Sequence, residues 1–563
     1  MEAKHTLDRR SFLGIAAASA LAATSVGLSG CTGPSAGDQT QPAGSEPSKR
    51  TWEQTPDPIP SDQIKETLDC DVVVIGAGIA GLVCAHSAAM NGAETVLIEK
   101  MDTFSARGHD NGAVGCAHQK DLGLSFDTAR MQRDWLQLTG CRTNVSLLNT
   151  WLNHSAEPMD YYIERMAAEG VTDIATNKGS NMDSDNVCIR EYPVSIDFGA
   201  TQVTEDGEGI QHRLLRFIET WAKDEGADIR YNTKAEQLIR NEEGPVTGVV
   251  ASTADGYIQI NAAKGVVLAT GDISGNDEMM QEFAPLVASC ENRLYTPFGG
   301  NTGDGINMAC WVGGALQKTT AAAMALPSTK ASGGPLASDG VLGWLAVNKH
   351  GERYFAENSG GPSICFSTMQ QPESAGYSIF DNDYATKLLS HAPDGANRNG
   401  IEYLGDLYGV NEGYEGLEDW MTKGIEEKVF FKADTLEDLA RQIEADEDAF
   451  LKTVDEYNGL CESGTDTQFG KPSNYLTTVE TPPFYASKIK VAVLVVPFGV
   501  NVDSHSRVCD GDDKPIEGLY AIGNVQGNFF TDSYPMIFSG ISHGRGMTFG
   551  WLVGKALASD TLV

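Results

Sequence analysis

The feature that most constrains the fold is a strand, turn, helix and strand pattern over residues 69–100, DCDVVVIGAGIAGLVCAHSAAMNGAETVLIEK. The apolar run 72–75 predicts a buried strand, 82–90 has helical spacing, and 95–98 predicts a second strand. The turn between the first strand and the helix carries glycines in G-x-G-x-x-G spacing. This pattern predicts a Rossmann-like α/β domain whose turn binds the pyrophosphate of a dinucleotide.

The glycines of the turn have different physical roles. Gly76 permits the tight turn, Gly78 lets the backbone approach a pyrophosphate, and Gly81 lets the helix pack closely on the strand. Amide donors and the dipole at the helix N-terminus favour the same anion. Glu99, at the end of the second strand, is expected to accept hydrogen bonds from the ribose hydroxyls. The predicted contacts of this unit are Gly76, Ala77, Gly78, Ala80, Gly81, Glu99 and Lys100.

The N-terminus has the pattern of an export signal. Arg9 and Arg10 precede an apolar run over 15–30, which is as long as a secretory segment and short for a membrane span. The adjacent arginines resemble a twin-arginine signal, and the Leu-Ser-Gly-Cys ending at Cys31 resembles a lipoprotein processing box. We therefore predict a signal over 1–31 and a lipid on Cys31 that anchors the protein to the outer face of the cell membrane, or in the periplasm. The alternative is an ordinary signal peptide with a chance cysteine.

The composition limits which partners and cofactors we expect. The chain has 77 acidic against 41 basic residues and a net charge of −36, so it repels phosphate backbones, and nucleic acid is not an expected partner. Residues 32–65 are rich in Pro, Gly, Ser, Gln and Asp and predict a flexible linker. The other ten cysteines form no CxxC or CxxCH motif, which argues against a c-type haem and predicts no metal site. An iron–sulfur cluster held by dispersed cysteines stays an open alternative.

Later segments fit the same nucleotide-binding core. Residues 265–276, GVVLATGDISGN, and 518–524, GLYAIGN, predict strands that end at the cofactor site. Residues 301–316, NTGDGINMACWVGGAL, follow the first of them, and 227–250 predict a strand, a link and a strand. With the glycine turn, these segments resemble the FAD-binding core of the fumarate reductase and 3-ketosteroid dehydrogenase superfamily. The resemblance extends from Asp69 to about Leu557.

The resemblance implies FAD as the cofactor and an interrupted domain. An FAD-binding domain of the glutathione reductase type would occupy 66–318 and 487–563, with an α+β capping domain over 319–486. In the cap, GERYFAEN, ADTLEDLA and PPFYA match that superfamily, and Thr435 to Asp438 predict a capping box that opens a helix. The further FAD-binding residues that the resemblance implies are Gly108, Asn111, Gly112, Ala235, Thr270, Gly271, Asp304, Asn524, Gly540, Ile541 and Ser542.

Two details of the implied flavin site are specific to this chain. Some relatives tether the flavin through a His in an Arg-Ser-His run, and this chain has Arg107-Gly-His109. A covalent link at His109 and a non-covalent flavin are both open, and the longer loop favours the second. The helix that begins near Gly540 would direct its positive end at the flavin pyrimidine ring and favour an anionic reduced flavin.

The substrate clamp of the fumarate-type relatives is missing. Those enzymes hold a dicarboxylate with two His and an Arg and protonate it with a second Arg. The corresponding positions here are Phe298, Val495, Ile537 and Gly361. A carboxylate taken out of water costs several kcal/mol unless charged donors replace the solvent. We therefore predict a substrate that is neutral and largely apolar where it meets the flavin.

The stretch TDSYPMIFSG, 531–540, supplies the expected substrate-polarising group. It resembles the ketosteroid dehydrogenases, in which a Tyr and a Gly amide donate hydrogen bonds to a ketone. Tyr534 and Gly540 match these positions and are the predicted catalytic residues. The alternative for Tyr534 is a packed side chain below the isoalloxazine ring.

A second acid or base is not placed by the sequence. Ser359, Ser363, Cys365 and Tyr377 are the candidates in the cap. The positions that follow the Gly-rich turn could also lie near the flavin, or they could be ordinary helix residues: His543 and Arg545.

Together these features predict an exported FAD-dependent reductase. It would saturate an activated C=C bond in a neutral α,β-unsaturated carbonyl compound of steroid, lactone or phenolic type, with hydride from flavin N5 adding to the β-carbon. The chain is similar to exported reductases of anaerobic gut bacteria, cardiac glycoside reductases among them, and electrons are expected from a membrane cytochrome or a quinol-linked donor. The alternatives are a 3-ketosteroid-type dehydrogenase, a fumarate-, urocanate- or cinnamate-type carboxylate reductase, and a flavoprotein that transfers electrons or binds a ligand without turnover.

Overall fold

The computed structural model describes residues 49–108, 110–177, 179, 182, 186–198, 210–290, 293, 299–328, 343–359, 361–384, 386–387, 422 and 424–561. The predicted signal with Cys31, the possible tether His109 and the clamp position Phe298 lie outside these residues. Within the described part of the chain, no helix is long and apolar enough to cross a membrane. No three His, Cys, Asp or Glu side chains of the described segments are grouped to hold a metal ion.

The described segments contain both strands and helices, in keeping with the predicted α/β class. The strands are β1 Ile64–Ile75, β2 Thr95–Ile98, β3 Asn111–Gly112, β4 Ile174–Thr176, β5 Ser195–Phe198, β6 Asp228–Arg230, β7 Lys234–Arg240, β8 Val246–Thr253, β9 Gly256–Leu268, β10 Met324–Ser328, β11 Leu345–Val347, β12 Gly376–Phe380, β13 Phe430–Ala433, β14 Phe484–Val495, β15 Arg507–Cys509 and β16 Pro515–Ala521. The helices are α1 Ile79–Met90, α2 Ala117–Asp121, α3 Thr128–Leu138, α4 Val145–His154, α5 Ala156–Ala168, α6 Ile210–Asp224, α7 Asp277–Phe283, α8 Pro285–Ala288, α9 Asp304–Trp311, α10 Gly361–Met369, α11 Leu436–Gln442, α12 Glu447–Ser463 and α13 Ile541–Ser559.

The largest sheet has eight strands and a parallel centre. Its order is β15-β16-β9-β1-β2-β6, and β8 pairs with both β9 and β7. Strands β16, β9, β1, β2 and β6 run parallel, whereas β7, β8 and β15 add antiparallel edges. The carboxyl ends of β1, β2, β9 and β16 therefore meet at one edge, which is where doubly wound folds bind ligands.

Helix α1 is buried against the sheet and against the last helix, α13. An added Cβ on Gly550 would lie 2.5 Å from the Ala80 carbonyl oxygen, and one on Gly554 would lie 2.5 Å from that of Cys84. Only glycine permits this approach of the two helix backbones. The close contact carries α13, the last helix, to the glycine turn at the start of α1.

The capping domain contains a five-stranded antiparallel sheet. Its order is β10-β14-β12-β11, and β13 also pairs with β14. Helices α11 and α12 pack their buried faces against it through Leu439, Phe450 and Tyr457. Thr435 is the N-cap of α11, and its hydroxyl accepts a hydrogen bond from the Asp438 amide over 3.1 Å.

Two predicted boundaries differ from the structure. Strand β14 of the cap sheet continues from Phe484 to Val495, so the cap sheet extends past the expected boundary at residue 486. The second part of the predicted linker, from Arg50 onward, is packed on the FAD-binding domain instead of being free. Trp52 is buried and packs against Phe283, with 4.9 Å between ring centroids and 45° between ring planes, because an indole side chain gains more from burial than from solvent.

Candidate active site

The glycine turn is a close backbone crossing beside open space. Gly76 has a φ of +110°, and a Cβ there would lie 2.5 Å from the Ala269 carbonyl oxygen. A Cβ on Gly81 would lie 1.9 Å from the Gly76 carbonyl oxygen, so both positions require glycine. Gly78, the N-cap of α1, has no atom within 4 Å of an added Cβ. Backbone amides at the start of α1 therefore face space in which a pyrophosphate fits.

The acid predicted at the end of β2 lies beside this turn. Glu99 is buried, and its Oε2 accepts a hydrogen bond from the Ala77 amide over 2.7 Å. Its Oε1 accepts one from the Met101 amide over 2.9 Å. The Glu99 carbonyl accepts from the Thr233 amide over 2.8 Å. This last bond brings the start of β7, with Ala235, to the end of the cofactor site where the adenine is expected.

Lys100 and Asp304 are brought together although they are distant in the sequence. The Lys100 Nζ donates to Asp304 Oδ2 over 2.8 Å and to Thr302 Oγ1 over 2.6 Å. Asp304 is the first residue of α9, after Gly303 in the left-handed region. The pair fixes the start of α9 next to the end of β2, and both side chains are three-quarters buried or more.

Two buried polar atoms near the end of β9 lack a partner in the described part of the chain. They are the Thr270 Oγ1 and the Asn301 Nδ2, which form no hydrogen bond with any described residue. A Cβ on Gly305 would lie 2.3 Å from Thr270 Oγ1, and one on Gly271 would lie 2.7 Å from Asn301 Oδ1. Unpartnered buried donors are costly unless a ligand satisfies them. With the open space at Gly78, they fit the polar groups of FAD.

The predicted flavin loop contacts the start of α13 through its backbone. The Gly112 amide donates to the Gly540 carbonyl over 2.9 Å. The fully buried Asn111 side chain exchanges two hydrogen bonds of 3.1 Å with Gln211, so this amide holds the loop rather than pointing outward. A Cβ added to Gly108 would lie 3.5 Å from the His543 ring. The loop and the N-terminus of α13 therefore form one backbone surface.

An ion pair that the sequence analysis missed holds the same loop. Arg107 Nη1 donates to Asp272 Oδ2 over 3.0 Å, and Asp272 is fully buried. The other oxygen of Asp272 accepts from the Ser274 amide and hydroxyl over 2.9 and 2.6 Å. The pair links the loop after β2 to the segment after β9. The signals in the sequence were Asp272, directly after Ala-Thr-Gly, and Arg107, two residues before His109.

Tyr534 is buried next to the first turn of α13. Its ring stacks on Phe530 with 4.4 Å between centroids and 14° between planes. Burial raises the pKa of Tyr534 to about 12, partly offset by Ser542 and the Arg545 charge. Gly540 has a φ of +74° as the N-cap of α13, so the phenol lies where the helix dipole is positive.

The remaining predicted residues of this region form one hydrogen-bonded group. Asn524 Oδ1 accepts from Ser542 Oγ over 3.2 Å and from Arg545 Nη2 over 2.9 Å. Ile541 is fully buried, as is Arg545. Burial lowers the pKa of Arg545 to about 9. The structure thus places Tyr534, Asn524 and Ser542 together, with a buried guanidinium behind them.

The described clamp positions are apolar or lack a side chain. Val495 ends β14 and Ile537 is buried, with 7% and 1% of their surfaces exposed, and Gly361 begins α10. Part of the stretch 531–540 lies in the protein core rather than on an open surface. Phe538 instead packs into an aromatic cluster, with ring centroids 5.2 to 5.4 Å away, formed by Trp135, Trp151 and Tyr192.

The candidates for a second acid or base differ in their surroundings. Tyr377 lies in β12 and contacts Phe431 of the cap core, with 6.0 Å between ring centroids. Burial raises the pKa of Tyr377 and of the fully buried Cys365. Ser363 is exposed and Ser359 is half-buried. None of these environments prepares a group to release a proton at neutral pH.

Comparison with known proteins agrees with this geometry. A family model for an FAD binding domain, FAD_binding_2, matches residues 71–536. The chain is 26% identical over 496 residues to the "Probable fumarate reductase Ifc3" of Shewanella frigidimarina, covering 85% of this chain and 74% of that protein. It is 27% identical over 523 residues to vinyl phenol reductase of Lactiplantibacillus plantarum, and the match covers 87% of this chain and 97% of that protein.

A solved structure shows the same fold. The 3-ketosteroid-delta4-(5alpha)-dehydrogenase of Rhodococcus jostii superposes with a TM-score of 0.67 at 20% identity, covering 88% of this chain and 99% of that one. The sheet order, the glycine turn and the unpartnered buried donors suit FAD, and the family match extends over most of the chain. The chain therefore belongs to the FAD_binding_2 family, and it is an FAD-dependent oxidoreductase of the fumarate reductase and steroid dehydrogenase type, which acts on C=C or CH–CH bonds.

Proposed function

We propose that this protein saturates the activated C=C bond of a neutral, largely apolar α,β-unsaturated carbonyl compound of steroid, lactone or phenolic type. The observation that carries the proposal is the buried Tyr534 hydroxyl at the start of α13, in a region whose clamp positions Val495 and Ile537 are buried and apolar. When bound, FAD carries the electron pair that reduction of a C=C bond consumes.

The electrostatics of the described site disfavour a dicarboxylate. A carboxylate buried there would lose its hydration, at a cost of several kcal/mol, unless charged donors replaced it. The buried cation nearest to Tyr534 is Arg545, whose Nη atoms donate to Gly523 and Gln526 carbonyls and to Asn524. Both of its Nη atoms thus already donate to the protein, and its Nε is the nitrogen left without a partner among the described residues. A neutral carbonyl needs only a hydrogen bond, which a phenol supplies.

Tyr534 is suited to polarise a carbonyl without carrying charge. Because burial raises its pKa to about 12, the hydroxyl stays protonated at neutral pH and remains a donor. A donor fixed in advance where negative charge develops is worth roughly 10²- to 10³-fold in rate.

A relative supports a neutral substrate. Vinyl phenol reductase, by its name, acts on a compound without a carboxylate, and this chain covers nearly all of that protein. We extend only the substrate class, a small neutral molecule with an activated C=C bond, to the present chain.

We further propose that the protein is exported by the twin-arginine signal and anchored through a lipid on Cys31. Its electrons would come from a separate membrane cytochrome or quinol-linked donor, and the net charge of −36 favours a donor with a basic docking face. Fractionation of cells that carry Cys31→Ser or a pair of Arg9→Lys and Arg10→Lys tests both steps. Membrane association of the Cys31→Ser protein would contradict the anchor, and export of the double variant would contradict the signal.

The substrate class is tested by anaerobic flavin reoxidation. The FAD-loaded protein is reduced with a viologen and mixed with a cyclic enone, an unsaturated lactone, fumarate or urocanate. We expect the neutral compounds to reoxidise it at least about 100-fold faster than fumarate. Faster reoxidation by fumarate or urocanate would refute the neutral-substrate proposal. Flavin reduction by a saturated ketosteroid, with no reoxidation by its enone, would refute the reductive direction.

A further inference from the structure

Arg545 is a fully buried cation without an acidic partner in the described part of the chain. Its Nη2 donates to the Gly523 carbonyl over 2.8 Å and to Asn524 Oδ1 over 2.9 Å, and its Nη1 donates to the Gln526 carbonyl over 3.2 Å. These acceptors are neutral, and the Nε has no partner among the described residues. Burial lowers the pKa of the guanidinium to about 9, which leaves it charged at pH 7.

The lack of an acid beside Arg545 is unusual even within this protein. A buried guanidinium loses its hydration, and neutral carbonyls replace that hydration only in part. The buried Arg353 of the cap has the usual solution, because its Nη2 pairs with Glu357 over 2.7 Å and with Asp466 over 2.8 Å. The charge of Arg545 is therefore left to act on an anion that the protein chain does not supply.

The neighbours of Arg545 in the chain make the two contacts that frame the cofactor site. A Cβ on Gly544 would lie 1.8 Å from the Gly112 carbonyl oxygen in the flavin loop. A Cβ on Gly546 would lie 3.3 Å from the Ala80 Cβ in the first turn of α1. Residue 545 therefore lies between the surface expected to hold the flavin and the glycine turn expected to hold the pyrophosphate.

The side chain of Arg545 reaches the turn that follows β16, at the carboxyl end of a parallel strand, where such sheets bind ligands. A Cβ on Gly523 in that turn would lie 2.9 Å from the Ala80 Cβ, so the turn also contacts the start of α1. The guanidinium carbon lies 4.8 Å from the Phe530 ring and 5.0 Å from the Phe529 ring. These rings and the turn keep water from the charge, so its field is weakly screened.

We propose that Arg545 is a fixed positive charge that stabilises the reduced flavin as an anion and raises its midpoint potential. Two electrons and one proton, taken up at N5, convert bound FAD to an anion whose charge lies on the pyrimidine ring. The buried guanidinium and the positive end of α13 both favour this anion over the neutral form, which takes a second proton at N1. The proposal rests on FAD binding and not on the substrate class proposed above.

The other ionisable groups of this region are Tyr534, His543 and Asp110. Burial raises the pKa of Tyr534 to about 12, so the phenol is neutral at pH 7. The His543 Nδ1 lies 2.7 Å from the Asp110 carbonyl oxygen, and the Asp110 side chain accepts a hydrogen bond from the Ser195 hydroxyl. Titration of His543 or Asp110 can change the number of protons taken up on reduction. The ionisation of the flavin must therefore be measured at the flavin itself.

The midpoint potential of the bound flavin tests the proposal, measured by spectroelectrochemistry at pH 7 in the wild-type protein and in Arg545→Gln. Glutamine keeps a donor for the turn after β16 and removes the charge. We expect the equilibrium constant for two-electron reduction to fall at least about tenfold, which lowers the midpoint potential by about 30 mV. Arg545→Lys, which keeps the charge, should change this constant less than about threefold.

A matched control removes another guanidinium that lies over an aromatic ring. Arg165 lies 4.8 Å from the Trp221 ring and donates to the Tyr161 hydroxyl over 3.1 Å. Arg165→Gln should leave the midpoint potential unchanged, and equal potentials in Arg165→Gln and Arg545→Gln would overturn the proposal. Weaker FAD binding in Arg545→Gln at an unchanged potential would also overturn it. The charge would then act on the pyrophosphate, which is anionic in both redox states.

A second measurement needs no substitution and keeps the proposal falsifiable if Arg545→Gln does not fold or bind FAD. The wild-type protein is loaded with FAD that carries a nitrogen-15 label at N1, reduced with a viologen at pH 6 and examined by NMR. We expect an ionised N1, although N1 of free reduced flavin is mostly protonated at this pH. A protonated N1 would overturn the proposal. Both measurements read the flavin without a substrate, so their failure would leave the proposed substrate class untouched.

Discussion

The contact between the flavin loop and α13 can be broken by a single methyl group. In Gly544→Ala, the new Cβ would lie 1.8 Å from the Gly112 carbonyl oxygen. Because such contacts are almost never shorter than 3.0 Å, the helix and the loop must separate by more than about 1 Å. Overpacking of this kind costs roughly 1–3 kcal/mol. The surfaces that separate are those expected to hold the flavin.

We expect this separation to weaken FAD binding. If the strain falls on the bound state, 1–3 kcal/mol corresponds to roughly a 5- to 150-fold rise in the dissociation constant of FAD. The measurement is a titration of the apoprotein with FAD, followed by quenching of flavin fluorescence, with circular dichroism to verify the fold.

A matched control is available two residues away on the same helix. In Gly546→Ala the new Cβ would lie 3.3 Å from the Ala80 Cβ, a tight but tolerable contact, and alanine improves helix propensity by about 1 kcal/mol. We expect its FAD affinity to change less than about threefold. If Gly544→Ala and Gly546→Ala bound FAD equally tightly, the contact between Gly112 and α13 would not support the flavin site.

Three further changes test other parts of the structure. Tyr534→Phe keeps the stack on Phe530 and removes only the hydroxyl, so enone reduction should slow roughly 10²- to 10³-fold in rapid mixing while FAD affinity is unchanged; an unchanged rate would refute its role. Burial lowers the pKa of His86 from 6.5 to about 4. The folded state therefore binds fewer protons than the unfolded state between these pH values. The free energy of unfolding should fall as the pH drops from about 6.5 towards 4, by roughly 2 kcal/mol at pH 5. Urea unfolding should show this loss reduced in His86→Gln, and an identical pH dependence would contradict it. Trp52→Ala should cost roughly 3 kcal/mol and free the segment for proteolysis ahead of β1, whereas unchanged protease resistance would contradict its docking.

The glycine turn could be predicted because its geometry is local. The order of strand, glycines, helix and acid fixes which backbone atoms meet. Glu99 lies beside the turn, where its Oε2 accepts a hydrogen bond from the Ala77 amide, a contact that we had not predicted. The first residues of the strands and helices were harder to predict from the sequence. Strand β1 begins at Ile64, eight residues before the apolar run, because its first half is partly exposed and carries polar side chains that give no strand signal. Helix α1 begins at Ile79, ahead of the expected 82, because Gly78 is the N-cap.

The cap boundary and the linker show the limits of composition. Strand β14 continues from Phe484 to Val495 although Lys488 and Lys490 interrupt its apolar sequence, so no local signal marks where the cap sheet ends. Trp52 lies in a segment of linker-like composition, and partners more than 200 residues away, such as Phe283, hold it in place. Such long-range packing overrides local composition.

The surroundings of the candidate site could not be predicted from the sequence, because they depend on contacts between distant segments. Sequence comparison identified Tyr534, but not the stack on Phe530 that holds it. Arg545 could be an ordinary helix residue by its spacing. Its acceptors at Gly523 and Gln526 become visible only when α13 packs against the end of β16. The ion pair of Arg107 and Asp272 likewise joins two separate loops.

The charge of the preferred substrate is tested most directly by two compounds that differ in little else. The reduced FAD-loaded protein is mixed anaerobically with methyl cinnamate or with cinnamate at pH 7, and flavin reoxidation is followed by absorbance. Because the described site offers Tyr534 and apolar side chains instead of free cations, we expect the neutral ester to react at least about 100-fold faster than the carboxylate. Faster reaction with cinnamate would show that a carboxylate clamp operates and would contradict the proposed substrate class.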